Sequence, residues 1–395
     1  MTFQVLDYKR DCVGYFQDQK IHLTREMPAT GSTWEYSEQL SGTDYDIARI
    51  FAEGATLTDV CPPELMSDWE RVKKSLRAYL RAFSTVSLSL EENCFYDAVP
   101  EFFLYEFLNI KNKITDHVVE NYERPENYDQ MIKLNWMVND IRARKLNIDI
   151  DPIAHMLSSV QGKNFLRTIQ TNKWAADYNP WGTVTGRLST NPKSFPILTM
   201  NKDYRACIKP QNDWFVELDF NAAELRVLLS LCGEEQPQKD IHDWNAETIF
   251  NNELSREEVK TQTFAWLYSS RSNKKLERIY NKDKVKNKYW DGQDVRTEFG
   301  RRIKDVDSRH ALNYIIQSTT IDMVHEQAFK VFELLLGKQS FISLLIHDAI
   351  YIDLKDEEKQ DIMKILHAFK GTRFGDMVVN VKAGKDLYNL KELNL

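Results

Sequence analysis

Residues 214–226, which read Trp-Phe-Val-Glu-Leu-Asp-Phe-Asn-Ala-Ala-Glu-Leu-Arg, constrain the fold of this chain more than any other stretch. Trp214, Val216, Leu218 and Phe220 alternate with the period of a strand, and after Asn221 the apolar spacing becomes helical. The spacing therefore predicts a strand that runs straight into a helix. Asp219 falls at the end of that strand, on the face opposite the apolar row. A carboxylate in that position is either solvated or a ligand for something positive, because burying it unpaired is costly. Glu224 lies three residues after Asn221, the spacing of a capping box, and Gly233 is a typical helix stop.

Residues 343–353 form a β-rich run with two polar residues in its middle, which predicts a hairpin turning at His347 and Asp348. A second carboxylate then sits at a strand edge. Two such aspartates, if neighbours in one sheet, are suited to clamping a pair of magnesium ions for in-line phosphoryl transfer. Between the two stretches, Ser255 is a good N-cap followed by acids in the first turn. Arg256, Lys260, Phe264 and Tyr268 then step by four, so cations lead into aromatics along one helix face. That face suits a nucleotide, with its phosphates at the cationic end, or equally a surface helix with a partly aromatic core stripe. Arg309, Asn313 and Gln317 also step by four, beside Leu312, Ile316 and Ile321, as a face able to hydrogen-bond along a minor groove.

Taken together, these motifs resemble the bacterial DNA polymerase I (family A) polymerases. Residues 219–226 look like the family's first palm motif, 346–348 its third, and 256–268 its nucleotide-binding fingers helix. Residues 185–189 (Thr-Gly-Arg-Leu-Ser) resemble the element before the first motif, 239–242 (Lys-Asp-Ile-His) the one after it, and Arg309, Asn313 and Gln317 a primer-contacting stripe. Six motifs in the family's order cover roughly residues 181–355. The resemblance implies an α+β right-hand polymerase fold with an antiparallel-sheet palm and helical fingers. It also implies that Asp219 and Asp348, with the Phe220 carbonyl, hold two Mg2+ ions. Arg256, Lys260 and His242 would bind phosphates, with Lys260 as general acid, while Phe264, Tyr268 and Glu224 would shape the base and sugar pocket. Arg187, Arg309, Asn313, Gln317 and His347 would hold the primer end. Primer-template DNA and dNTPs are the implied partners. Three positions depart from the family: Ala349 where a glutamate is frequent, and Ala265 and Ser269 where glycines are.

The rest of the chain is less specific. The expected division is an amino-terminal region over 1–100, a helical region over 101–184, and a palm over 185–395 with fingers inserted at about 240–304. Asp7-Tyr8-Lys9 stands where family members with a proofreading domain carry an Asp-x-Glu metal motif, so that region reads as a degenerate, non-cleaving remnant. Apolar spacing predicts helices from Pro62 and from Glu101, the first with a core stripe of Trp69, Val72, Leu76, Leu80 and Phe83. Only 150–184 is available for the family's long thumb hairpin, so either the thumb is reduced, which makes a processivity factor, a helicase or a separate exonuclease candidate partners, or the helices before residue 127 take over its role.

A net charge of −7 confines DNA contact to local patches, such as the twelve Lys or Arg against five Asp or Glu between Arg271 and Lys304. Five cysteines without a CxxC pair indicate neither a disulfide framework nor a zinc site. With no basic leader and no apolar run of membrane length, the expectation is a cytoplasmic protein that contacts no membrane, in a bacterial or phage-infected cell. The rival readings are a single-subunit RNA polymerase, which Glu224, Leu225 and Arg226 disfavour, and a non-catalytic DNA-binding replication subunit that retains the fold.

Overall fold

The computed structural model describes residues 1–8, 11–40, 43–90, 92–268 and 272–393. Lys9, Ser269 and Arg271 lie outside the described residues. The chain divides into two compact units, 1–140 and 141–395. No break falls at residue 100, because the helix that begins there packs back on elements that precede it.

In the first unit, β1 (Gln4–Tyr8), β2 (Asp11–Gln17) and β3 (Lys20–His22) form an antiparallel sheet. The register slips between Leu6 and Asp7. Opposite Leu6, Gly14 has φ +152°, and a Cβ there would lie 2.0 Å from the His22 carbonyl oxygen, so only glycine lets β2 and β3 approach. Helix α1 (Pro63–Thr85) starts with proline at its first position, where the missing N–H costs nothing. It packs on α2 (Glu101–Asn121) through Trp69 against Phe107 and Tyr79 against Phe103. Trp69 and Val72 are buried, but Leu80 is 40 % exposed, so the predicted core stripe of α1 holds only near its start. Helix α2 buries Phe103, Leu104, Leu108, Ile114 and Val118, and Gln4 of β1 donates to its Asn112 at 2.7 Å. Helix α3 (Tyr128–Ala143) runs across the boundary between the units.

The second unit opens with a two-residue strand pairing Asn147–Ile148 with Ile208–Lys209. Where a long helical hairpin would stand there is a 3-10 turn (Asp151–Met156) and one helix, α4 (Val160–Thr171), twelve residues long. The central sheet is built on β4 (Trp214–Phe220). Helices α5 (Ala223–Leu231), α6 (Ile241–Thr248), α7 (Arg256–Leu267) and α8 (Lys282–Tyr289) follow it. Then come the long α9 (Ala311–Leu335), the hairpin of β5 (Phe341–Ile346) and β6 (Ala349–Leu354), α10 (Ile362–Lys370), β7 (Val379–Gly384) and β8 (Lys391–Glu392). The sheet order is β5-β6-β4-β7-β8, antiparallel throughout. Phe220 stacks on Phe369 of α10 with ring centroids 4.4 Å apart, which anchors the apolar face of β4. The Phe215-Glu217-Asp219 face is left to form the site.

Helix α9 is buried on most sides, as a helix apolar around its circumference must be. Its His325 is 3 % exposed and neither ring nitrogen has a hydrogen-bond partner. Burial, reinforced by the nearby Arg301 cation, pushes its pKa down to about 3. A histidine held neutral in the fold but basic when unfolded contributes stability that is intact above its unfolded pKa and is lost as the pH falls from about 6.5 towards 3. Stability should therefore decline on acidification by up to about 1.4 kcal/mol per pH unit from this residue. Denaturant titrations between neutral pH and pH 4 check this: His325→Leu should flatten the slope, and an unchanged slope would refute the assignment.

Candidate active site

The two aspartates singled out in the sequence meet at one end of the sheet. In the β4–β6 pairing Asp219 lies opposite Ala349, the residue after Asp348. His347, at φ +56°, makes the tight turn that brings Asp348 there. Asp219 is pushed up to about 7 by burial, then by the like charges of Asp348 and Glu217, with Lys382 and Asn380 opposing. Burial raises Asp348 as well. Two half-buried carboxylates whose ionisation each other opposes are a site that a divalent cation would relieve, and their hard oxygen donors suit magnesium. Among the described residues, no group of three or more His, Cys, Asp or Glu side chains is arranged to hold a metal, so this donor set is limited to the two carboxylates and main-chain oxygen such as that of Phe220.

Next to this pair stands Glu224, but not as a cap. The residue preceding α5, Ala222, is in the left-handed region at φ +49° and no side chain caps the helix. The capping box expected from Asn221 and Glu224 is absent because both side chains are engaged elsewhere. Glu224 accepts from the Arg187 guanidinium on one oxygen and from the Tyr268 hydroxyl on the other. Burial raises its pKa while Arg187 opposes this. Gly186, just before Arg187, has φ +81°, and a Cβ there would lie 2.4 Å from the Arg301 guanidinium carbon, so the turn needs glycine on both counts.

Asn221 belongs to a second network. Its Oδ1 accepts from the Ile241 amide at 3.0 Å and from Arg226, and its Nδ2 donates to Asp240 at 2.8 Å. Arg226 is fully buried and donates to the main-chain oxygens of Asn221, Pro237 and Lys239. Burial lowers its pKa to about 10. Asp240 caps α6, accepting from the His242 and Asp243 amides, and also holds Arg256 at 2.7 Å. Burial works against its charge, but the bonds from Arg256 and Asn221 keep it well below the usual carboxylate range. The sequence flagged Arg256 as a phosphate ligand and missed this pairing. The acidic residue in Lys239-Asp240-Ile241-His242 was its only signal.

On α7 the capping box is real, between Ser255 and Glu258. Lys260 and Ala265 are exposed, and an aromatic row runs outward from the buried His242: His242 to Phe264 is 5.6 Å between ring centroids, and Phe264 stacks at 6.3 Å on Tyr268, which is exposed. His242 is 2 % exposed and its Nδ1 is unpartnered, and burial lowers its pKa. Contacts thus run from Asp240 and His242 through Phe264, Tyr268 and Glu224 to Arg187, whose charge opposes the rise of the Asp348 pKa. His347 is exposed at the hairpin tip, and Asn313 and Gln317 are half-buried in the first turns of α9. Arg309 does not share their helix. It precedes the start of α9 at Ala311, where Asp307 accepts from the Arg309 and His310 amides and ends the preceding loop.

The fold is similar to that of a polymerase domain: the structure superposes with a TM-score of 0.63 on the POL domain of Pol1 from M. smegmatis, solved in complex with DNA primer-template and dNTP. The match covers 88 % of this chain and 82 % of that one at 12 % identity. Residues 151–290 match the family model described as DNA polymerase family A. It is 24 % identical over 267 residues to the thermostable DNA polymerase I of Thermus thermophilus, and 26 % identical over 287 residues to DNA polymerase I of Borreliella burgdorferi. These alignments take in 55 % and 58 % of this chain but only 31 % and 32 % of the relatives, so the chain spans about a third of their length.

Proposed function

We propose that this chain is a template-directed DNA polymerase that extends a primer 3′ end with dNTPs. The observation that carries this reading is the meeting of Asp219 and Asp348 at one end of the central sheet, each with its ionisation opposed, beside an aromatic and cationic helix face. Asp219, Asp348 and the Phe220 carbonyl would hold two magnesium ions, which when bound supply Lewis-acid activation of the primer hydroxyl and neutralise charge on the triphosphate. Arg256, Lys260 and His242 bind the triphosphate, and the Lys260 ammonium donates a proton to the leaving pyrophosphate oxygen. Arg256 reaches the phosphates by loosening its hold on Asp240. Phe264 and Tyr268 receive the base, while Glu224, fixed by Arg187 and Tyr268, crowds the position of a ribose 2′-hydroxyl. Arg187, Arg309, Asn313, Gln317 and His347 hold the primer end.

In this reading residues 1–140 are not a nuclease, since Asp7 alone is too little for two-metal cleavage. With α4 the only helix of eight or more residues in the described part of 150–184, few phosphate contacts lie behind the primer, and a separate processivity factor or helicase supplies the grip. Among the described residues no helix is long and apolar enough to cross a membrane.

Primer extension with magnesium tests the reading. The chain should incorporate dNTPs over rNTPs, and Glu224→Ala should narrow that preference by about tenfold or more in kcat/KM. The same primer with a mismatched end and no dNTP should keep its length. Absence of extension would leave a DNA-binding replication subunit, and preference for rNTPs would leave an RNA polymerase.

A further inference from the structure

Strand β7 carries residues that the family motifs do not include. In-register antiparallel partners direct their side chains to the same face. Asp219 therefore lies in a row between Ala349 of β6 and Asn380 of β7, and Glu217 in the next row between Tyr351 and Lys382. Glu217 is 8 % exposed and pairs with the Lys382 ammonium at 2.7 Å. Asn380 sits directly across the β4–β7 pair from Asp219, close enough for its amide to reach the carboxylate, and both it and the Lys382 charge oppose the rise of the Asp219 pKa. Ala349 offers nothing polar on the opposite flank, so the orientation of Asp219 is left to β7.

We propose that Asn380 is a positioning residue for metal binding: its amide holds one oxygen of Asp219 so that the other faces the cation, while Lys382, kept in place by Glu217, fixes a positive charge alongside. This rests on the two-metal reading above. The last torsion of an aspartate is soft, and a donor on one oxygen selects one orientation while leaving the other oxygen's lone pairs free. Partners that hydrogen-bond a metal-ligating carboxylate orient it, and their loss commonly costs about 10–100-fold in metal affinity or activity.

The test compares Asn380→Val with Asn380→Thr in the full chain. The two replacements have nearly the same shape and both favour strands, and only threonine keeps a donor. Mn2+ alone is the probe, with free ion counted by electron paramagnetic resonance at one fixed pH, alongside single-nucleotide insertion kinetics. Asn380→Val should bind Mn2+ about tenfold more weakly and lose kcat with little change in dNTP KM, while Asn380→Thr stays within about threefold of the parent on both counts. Equal Mn2+ binding by the two variants, with binding lost in Asp219→Asn, overturns the role of Asn380 and leaves the metal reading standing. Parent-like binding by Asp219→Asn itself overturns the metal reading, and the role of Asn380 with it.

Discussion

Asp219→Asn should abolish primer extension, by about a thousandfold or more, and at the same time make the protein more stable at pH 8 in metal-free buffer. The two effects have one origin. Burial and the neighbouring carboxylates hold Asp219 at about 7, well above its unfolded value of 3.8, so the fold penalises its charged form. The sign is opposite to that of an ion-paired aspartate: the penalty is absent below the unfolded value, grows as pH rises between the two values, and is complete above the folded one. An isosteric amide removes that penalty together with the charge a cation requires. The melting temperature should therefore rise at pH 8, by roughly 2–4 °C per kcal/mol recovered, and should not change below about pH 4. Asp348→Asn should lose activity to the same degree, as burial opposes its charge too. Extension by either variant at more than a few per cent of the parent rate would remove both aspartates from the chemistry. Lost activity with lost stability at pH 8 would mean that the carboxylate is structural.

The second large effect is on the fold. Arg301 forks onto Asp322 with bonds of 2.9 and 2.6 Å, and the side chains are 11 % and 1 % exposed. Arg301→Met would remove the cation forked onto the buried Asp322, and breaking a buried pair from one side commonly costs about 3–5 kcal/mol, or on the order of 10 °C in melting temperature. It should also reduce primer extension, because the guanidinium underlies the tight Gly186 turn that aims Arg187 at Glu224. Arg301→Met/Asp322→Leu should recover much of the stability, since a pair replaced whole leaves no orphan charge. A melting curve for Arg301→Met within 2 °C of the parent would show that Asp322 is compensated by other groups.

What the sequence by itself determined is local. The strand of 214–220, the hairpin turn at His347 and Asp348, the Ser255 cap and the order of the family's motifs are written in short-range patterns, because strand period, turn residues and caps act over a few neighbours. Asp219 and Asp348 could be named as candidates for the same reason: each breaks an apolar run where a charge needs a purpose. The tertiary structure decided what those residues touch. Asn221 and Glu224 have the spacing of a cap, yet the cap is not made, because Asp240 and Arg226 claim the first while Arg187 and Tyr268, 37 and 44 residues away, claim the second. Arg309 keeps the four-residue step of Asn313 and Gln317, but the Asp307 turn places it ahead of their helix. Asn380 gave no local signal at all. Its place beside Asp219 follows from β7 pairing with a strand some 160 residues earlier, and pairing at that separation is set by burying the sheet's apolar face on α10, a matter of packing that no window of sequence contains.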